Sequence, residues 1–310
     1  MSKSIPLLRL GTRRSPLAMA QAEEAQARLC AAHGWPLEAV ELVPVTASGD
    51  KVQDRPLAEI GGKALWTREL DQCLADGRID VAVHSMKDVE TLRPAELAIA
   101  AILPRADRRD VLVGAGSIAA IPRDARLGTS APRRAAQMRH LRPDLQVVLF
   151  RGNVATRIAK LAAGEADVTL LARAGLDRLG EHGVGTTLSS EEFLPAPAQG
   201  AIGLECRAGD ERMLALLAAI DHAPSHAEVA GERALLAALE GNCHSPIALD
   251  CRWQESGQLG LRVALFSPDG AERVDGQQLV HASDHAALSD FAADLLIRAG
   301  PATQAVFRGT

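Results

Sequence analysis

The chain contains no tyrosine, and aromatic residues make up only 3% of its 310 positions. That scarcity argues against the stacking platforms that hold single-stranded nucleic acid. Positive charge is not in excess: 34 Lys and Arg stand against 39 Asp and Glu, for a formal net charge of −5. A nucleic-acid or membrane-surface protein would need a basic face, so neither partner is expected. Apolar runs long enough to span a membrane are missing. The first residues, Met1 to Arg9, hold one Lys and no apolar stretch suited to a secretory signal. The five cysteines, Cys30, Cys73, Cys206, Cys243 and Cys251, are odd in number and widely spaced. This pattern excludes a disulfide framework and points to a cytoplasmic, reducing location. Around Cys243 and His244 there is no CxxC or HxxxH spacing, so no metal site is expected there. There is no internal sequence repeat and no low-complexity segment.

What is present is a 47% hydrophobic chain, long enough for two or three cores. Short apolar runs at Leu7–Leu10, Val40–Val45, Ile79–Val83, Leu97–Leu103, Val111–Val113, Val147–Phe150 and Val168–Leu171 suit strands. Helical patterns lie between them at Pro16–His33, Thr67–Ala75, Pro132–Leu141, Val154–Ala163 and Ala174–Leu179. This alternation predicts mostly parallel sheets covered by helices, an α/β class. Pro195-Ala196-Pro197 interrupts the pattern as a crossing segment, and Ala201–Cys206 suits one more strand. Two helices follow, Asp210–Ala219 and Ser225–Leu239. The tail changes character: Ile247–Trp253, Leu259–Phe266 and Gln278–His281 suit antiparallel strands, and His285–Ala299 a last helix. A small α+β domain is therefore expected from residue 222 onward.

Three predicted helix starts carry arginine: Thr12-Arg13-Arg14-Ser15-Pro16, Thr129-Ser130-Ala131-Pro132-Arg133-Arg134 and Arg151-Gly152-Asn153-Val154-Ala155-Thr156-Arg157. Each pairs a capping hydroxyl or amide with a first turn. A helix N-terminus already holds roughly half a positive charge, so cations are disfavoured there. Three such starts in one acidic chain point to an anion bound by backbone N–H groups and guanidinium forks, a phosphate or a polycarboxylate. Nucleotide motifs fail in detail. Gly114-Ala115-Gly116 lacks its helix and its acidic partner, and Gly61-Gly62-Lys63 is followed by Ala64 where a phosphate loop needs Ser or Thr.

The strand Ile79–Val83 runs into His84-Ser85-Met86-Lys87-Asp88-Val89, where side chains beyond a strand's carboxyl end are placed to meet a ligand. Cys243 lies in the polar loop Glu240-Gly241-Asn242-Cys243-His244-Ser245-Pro246, and a lone loop cysteine is ordinarily inert. Thr46 to Gly62 is a long polar segment that could act as a lid.

Together, and in this order, several stretches resemble the porphobilinogen deaminase (hydroxymethylbilane synthase) family over nearly the whole chain. They are Thr12 to Ala18, Gly61-Gly62-Lys63, Val83 to Val89, Arg151 to Arg157, Ala174-Gly175-Leu176-Asp177-Arg178-Leu179, Ala198-Gln199-Gly200-Ala201 and Leu239 to Cys243. The resemblance implies two α/β domains of the periplasmic-binding-protein type around a cleft, plus a small C-terminal α+β domain. The implied boundaries are 1–103 with 198–221, 104–197, and 222–310. It implies a dipyrromethane cofactor joined by a thioether to Cys243. It also implies stepwise condensation of four porphobilinogen molecules onto that primer, with loss of ammonia and final hydrolytic release of hydroxymethylbilane.

Under this resemblance Asp88 is the catalytic carboxylate. It stabilises positive charge on a pyrrole nitrogen as ammonia leaves. Lys87, Ser85, Thr129, Ser130, Arg133 and Arg134 join Asp88 in holding the cofactor. Arg13, Arg14, Ser15, Lys63, Trp66, Arg151, Asn153, Arg157, Arg178 and Gln199 bind the incoming or growing polyanion. The family further implies a monomer in tetrapyrrole biosynthesis whose product passes to uroporphyrinogen III synthase. This chain departs from the family pattern at Glu59 (often Lys), Trp66 (commonly Phe), Glu90 (usually Pro) and Ala131-Pro132 (usually Ser-Leu). From the residues alone, a non-catalytic two-domain anion-binding protein is the rival reading.

Overall fold

A computed structural model of the protein describes residues 6–46 and 66–307. The described chain forms two compact units, residues 6–46, 66–106 and 201–226 in the first, and 107–200 with 227–307 in the second. The first unit is built on a five-stranded sheet: β1 (Leu8–Arg13), β2 (Val40–Val45), β3 (Val81–Ser85), β4 (Leu97–Ile102) and β10 (Ile202–Arg207), in the order β2-β1-β3-β10-β4. β10 alone runs antiparallel to its two neighbours.

Apolar side chains alternate between the two faces of this sheet, as strand geometry requires. Leu8, Leu10, Val81 and Val83 pack with Ala22, Ala25 and Leu29 of the Pro16–His33 helix. Ala82 and Ile79 pack with Leu70, Cys73 and Leu74 of the Arg68–Ala75 helix. The long helix begins where the sequence places it. Pro16 occupies its first turn, Ser15 Oγ accepts from Ala18 N at 3.3 Å, and Gly34 ends it in the left-handed region at φ 65°.

The second unit repeats the plan. Strands β5 (Asp110–Val113), β6 (Arg126–Gly128), β7 (Gln146–Val148), β8 (Val168–Ala172) and β9 (Thr186–Thr187) take the order β7-β6-β8-β5-β9. Here β5 is the reversed strand. In each unit the reversed strand is the first one after the chain enters, and it takes the fourth place in the sheet. The sequence holds no repeat that announces this shared topology.

The tail forms an antiparallel sheet of β11 (Ile247–Gln254), β12 (Gln258–Phe266) and β13 (Arg273–His281). Leu235 and Leu239, from the end of the Ala223–Ala238 helix and just beyond it, and Leu288, Phe291 and Leu295 from the His285–Arg298 helix fill its core. A second patch of Ala136, Leu194, Ala248, Ala264 and Phe266 joins this sheet to the α/β part of the same unit. Short elements escape the sequence pattern, namely β6, β9 and the Pro301–Phe307 helix.

The helix-start reading needs one correction. The cap of the Pro132–Leu141 helix is Ala131, which offers no side-chain bond, while Thr129 Oγ1 accepts from Ala131 N at 3.2 Å before the helix begins. Pro132 moves the start past both hydroxyls. Asn153 does cap its helix, accepting from Thr156 N at 2.8 Å.

Candidate active site

In the first unit, β1 and β3 end side by side and deliver their last residues to a pocket of about 430 Å³, open mouth included. Arg13 and Ser15 line it from the turn after β1, His84 and Ser85 from the end of β3, and Trp66 and Thr67 from the approach to the Arg68–Ala75 helix. Asp88 and Val89 complete the wall.

Each side chain has a local reason for its place. Ser85 ends β3, and a single helical turn, Met86–Asp88, follows it. Met86 N donates to Ala201 O at 3.1 Å, and its side chain is fully buried. This anchor presents Lys87 and Asp88, both half-buried. Among the described residues, the Asp88 carboxylate has no hydrogen-bond or ion-pair partner. Gln21 Nε2 donates to Ser85 Oγ at 2.8 Å and so orients it. The Arg13 guanidinium stacks over the Trp66 ring, 3.9 Å from its centroid. Arg14 points to solvent.

Behind the pocket His84 Nε2 lies 3.0 Å from Glu205 Oε2 on β10, and Arg93 forms a two-point pair with the same carboxylate at 2.8 Å and 2.8 Å. Burial pushes Glu205 up, but the bonds from His84 and Arg93 outweigh it and hold the carboxyl down at about 2. Asp71, bonded to Arg93 at 2.6 Å, is raised by its own burial.

In the second unit, Arg133, Arg134 and Gln199 converge on one buried carboxylate. Arg134 reaches Asp110 Oδ1 at 2.6 Å, Arg133 lies 2.8 Å from Asp110 Oδ2, and Gln199 Nε2 donates to Arg108 O at 2.7 Å and to Asp110 Oδ1 at 3.3 Å. Burial pushes Asp110 up and the two guanidinium groups bring it below the usual carboxylate range. Burial lowers Arg133 in turn. Two cations thus share one carboxylate; of the two hydroxyl residues that precede this helix, Thr129 is buried and Ser130 half-buried.

Arg178 donates to Gly200 O at 3.2 Å, Arg157 Nε to Gly152 O at 3.0 Å, and Arg151 is 6% exposed. The Asn153 side-chain oxygen serves its helix rather than projecting outward. Lys63, Glu59 and the polar segment beyond Thr46 lie outside the described residues.

Cys243 is exposed, whereas Cys30, Cys73, Cys206 and Cys251 are buried. Its loop is braced on both sides: Asn242 Oδ1 accepts from His244 N at 2.8 Å, and Asn242 N donates to Ser245 Oγ at 3.0 Å. A covalent group needs a reachable thiol, and this one fits that need. Burial lowers His244 beside it.

Residues 8–215 match the family described as porphobilinogen deaminase, dipyromethane cofactor binding domain, and residues 226–291 match its C-terminal domain. The chain belongs to the porphobilinogen deaminase family. A relative named porphobilinogen deaminase, from Sphingopyxis alaskensis, is 59% identical over 97% of this chain and 96% of its own length. Among solved structures, the periplasmic VFT2 domain of Bordetella pertussis BvgS overlaps 69% of this chain and 86% of its own, at 14% identity and TM-score 0.42. A ligand-binding component of an ABC-type import system from Staphylococcus aureus overlaps 74% and 73%, at 14% identity and TM-score 0.40.

The structure brings Arg13, Ser15, Trp66, Ser85 and Asp88 to one pocket. The sequence did not point to Gln21, Thr67, Arg93 or Glu205. A visible signal for the last was a lone carboxylate inside the apolar strand Ile202-Gly203-Leu204-Glu205-Cys206, which calls for a buried cation.

Proposed function

We infer that this chain is a hydroxymethylbilane synthase, joining porphobilinogen units head to tail with release of ammonia. The observation that carries the reading is the Asp88 carboxylate, presented to a pocket and left without a protein partner among the described residues. Family membership makes the chain a transferase of tetrapyrrole biosynthesis with a dipyrromethane cofactor. When bound, that group supplies the first pyrrole acceptor.

Cys243 holds the cofactor through its exposed sulfur. Asp88 accepts a hydrogen bond from a pyrrole N–H. When the aminomethyl C–N bond breaks, the electron pair leaves with ammonia and positive charge develops on the pyrrole nitrogen. A fixed carboxylate in a partly desolvated pocket stabilises that charge more than it stabilises the neutral substrate. Asp88 also carries protons at the departing amine and at the attacked ring carbon.

Each pyrrole bears an acetate and a propionate. Arg13, Arg14, Ser15 and Trp66 receive these groups from the first unit, and Lys63 shares that role. Arg151, Arg157 and Arg178 receive them from the second, where Asn153 acts by fixing the Arg151–Arg157 turn and Gln199 by bracing the buried Asp110 cluster. Lys87, Ser85, Thr129, Ser130, Arg133 and Arg134 hold the cofactor's carboxylates, the last two through the charge that Asp110 leaves uncompensated. We read the chain as three domains, 1–103 with 198–221, 104–197, and 222–310, and as a cytoplasmic monomer that hands its product to uroporphyrinogen III synthase. The family's separate C-terminal match supports the third domain.

Intact-protein mass tests the function. A covalent dipyrrole is expected on the purified chain, or after incubation with porphobilinogen. A bare-chain mass under both conditions overturns the reading.

A further inference from the structure

Arg93 belongs to no sequence motif, yet every guanidinium N–H has a partner. Nε and Nη2 take the two oxygens of Glu205 at 2.8 Å and 2.8 Å, and Nη2 also takes Asp71 Oδ1 at 2.6 Å. Nη1 reaches Glu90 Oε2 at 2.7 Å and Thr67 Oγ1 at 3.2 Å. A guanidinium has five donors in a rigid plane, and this one uses them all.

Thr67 stands at the N-cap of the Arg68–Ala75 helix, where a threonine ordinarily accepts from the first turn. Here it makes no capping bond. Its fully buried hydroxyl donates to Glu90 Oε2 at 2.9 Å instead and accepts from Arg93. The helix has given up its own cap to a segment elsewhere in the chain. That segment, Glu90 to Arg93, directly follows the turn that carries Asp88. Thr67 adjoins Trp66, and Trp66 carries the Arg13 guanidinium. The Glu90–Thr67 bond therefore ties the segment that follows Asp88 to the one that carries Trp66.

We propose that Glu90, held by Arg93, is a positioning residue that clamps the Trp66–Thr67 segment, and with it Arg13, at a set distance from Asp88. The clamp preforms the pocket for a pyrrole whose carboxylate meets Arg13 while its N–H meets Asp88. Arg93 is needed because Glu90 alone would repel an anionic ligand and would sit beside two further carboxylates. This inference rests on the reading of the pocket as the porphobilinogen site.

The test uses the full chain with Trp35→Phe and Trp253→Phe, which leaves Trp66 as the sole tryptophan. In that background Glu90→Ala should raise acrylamide quenching of Trp66 about twofold and KM for porphobilinogen about tenfold, with a smaller change in kcat. Glu90→Gln keeps an acceptor for Thr67 and should restore most of both. If Glu90→Ala does not fold, Arg93→Lys, which retains charge but cannot hold all the partners, should move both readings in the same direction. Unchanged quenching with KM within twofold in the variant that folds overturns the clamp, as does a Glu90→Gln protein that behaves like Glu90→Ala. A background protein that never turns over porphobilinogen overturns the functional reading instead, and the quenching comparison still decides the clamp.

Discussion

Gly203 on β10 sits opposite His84 on β3, beneath the turn that presents Asp88. A Cβ there would lie 2.1 Å from Met86 Sδ, 2.9 Å from Met86 Cγ and 3.2 Å from Ile102 Cδ1. Non-bonded heavy atoms rest at about 3.5–4.0 Å, so the sulfur must retreat by roughly 1.5 Å. Met86 is 1% exposed, so its sulfur must move within the packed interior. Overpacking of this kind costs about 1–3 kcal/mol. Alanine also restricts the unfolded chain, which returns about 0.4–1 kcal/mol. The net loss expected for Gly203→Ala is therefore about 1–2 kcal/mol in urea unfolding. The effect on rate should be larger than that loss implies. Met86 opens the turn that ends at Asp88, and a shift of about 1 Å in a catalytic group can cost up to about a hundredfold. Steady-state turnover should fall at least about tenfold with the fold retained. Shortening the obstructing side chain in the Met86→Ala, Gly203→Ala double variant should show a favourable coupling of about 0.5–3 kcal/mol. A Gly203→Ala protein with wild-type turnover and stability would refute the claim that this contact sets the position of Asp88.

Asp88→Asn should keep the fold, as judged by circular dichroism, and lose most turnover; near-normal activity would contradict its role. Asp110→Asn leaves Arg133 and Arg134 buried without their carboxylate, and urea unfolding should report a loss of about 3–5 kcal/mol. Glu205 is held at about 2 against an ordinary 4.5, so its contribution is complete above pH 4.5 and is lost as pH falls toward 2. The shift corresponds to roughly 3 kcal/mol, and Asp71, raised by burial, opposes part of it. Glu205→Gln should therefore flatten the acid limb of a stability-versus-pH curve in that window, and an unaltered limb would exclude Glu205 as its source. Thiol labelling of protein that lacks the dipyrrole should modify one cysteine under native conditions and five after denaturation, with Cys243→Ser abolishing the native label.

Much of the fold was legible because its signals are local. The Pro16–His33 and Pro132–Leu141 helices and the Val40–Val45 strand fall where the sequence places them, since proline starts and turn residues act within a few positions. Arg126–Gly128 was not legible. Three residues carry no periodicity, and this strand is held by β7 and β8, which come later in the chain. The reversal of β5 and β10 follows from where the chain enters each unit, which no local pattern encodes.

The site divides in the same way. Asp88, Ser85 and Arg13 stand out in the sequence because strand ends and helix starts are local features, while their roles rest on the family resemblance. Arg133 and Arg134 look like free cations until folding brings in Asp110 from more than twenty residues upstream. Thr67, Glu90, Arg93 and Glu205 come from three separate stretches of chain, and only packing brings them together.

The uneven exposure of the cysteines has a consequence for chemical survival. Each loss of ammonia from porphobilinogen leaves an electron-poor azafulvene, an alkylating agent generated inside the protein that makes it. Sulfur would be its natural target. Cys30 and Cys206 are raised by burial, Cys206 to about 11, so at neutral pH roughly one Cys206 in ten thousand is a thiolate. Cys73 and Cys251 are buried as well. Four thiols are thereby kept from the electrophile, and the one exposed thiol is the one whose alkylation the proposed function uses.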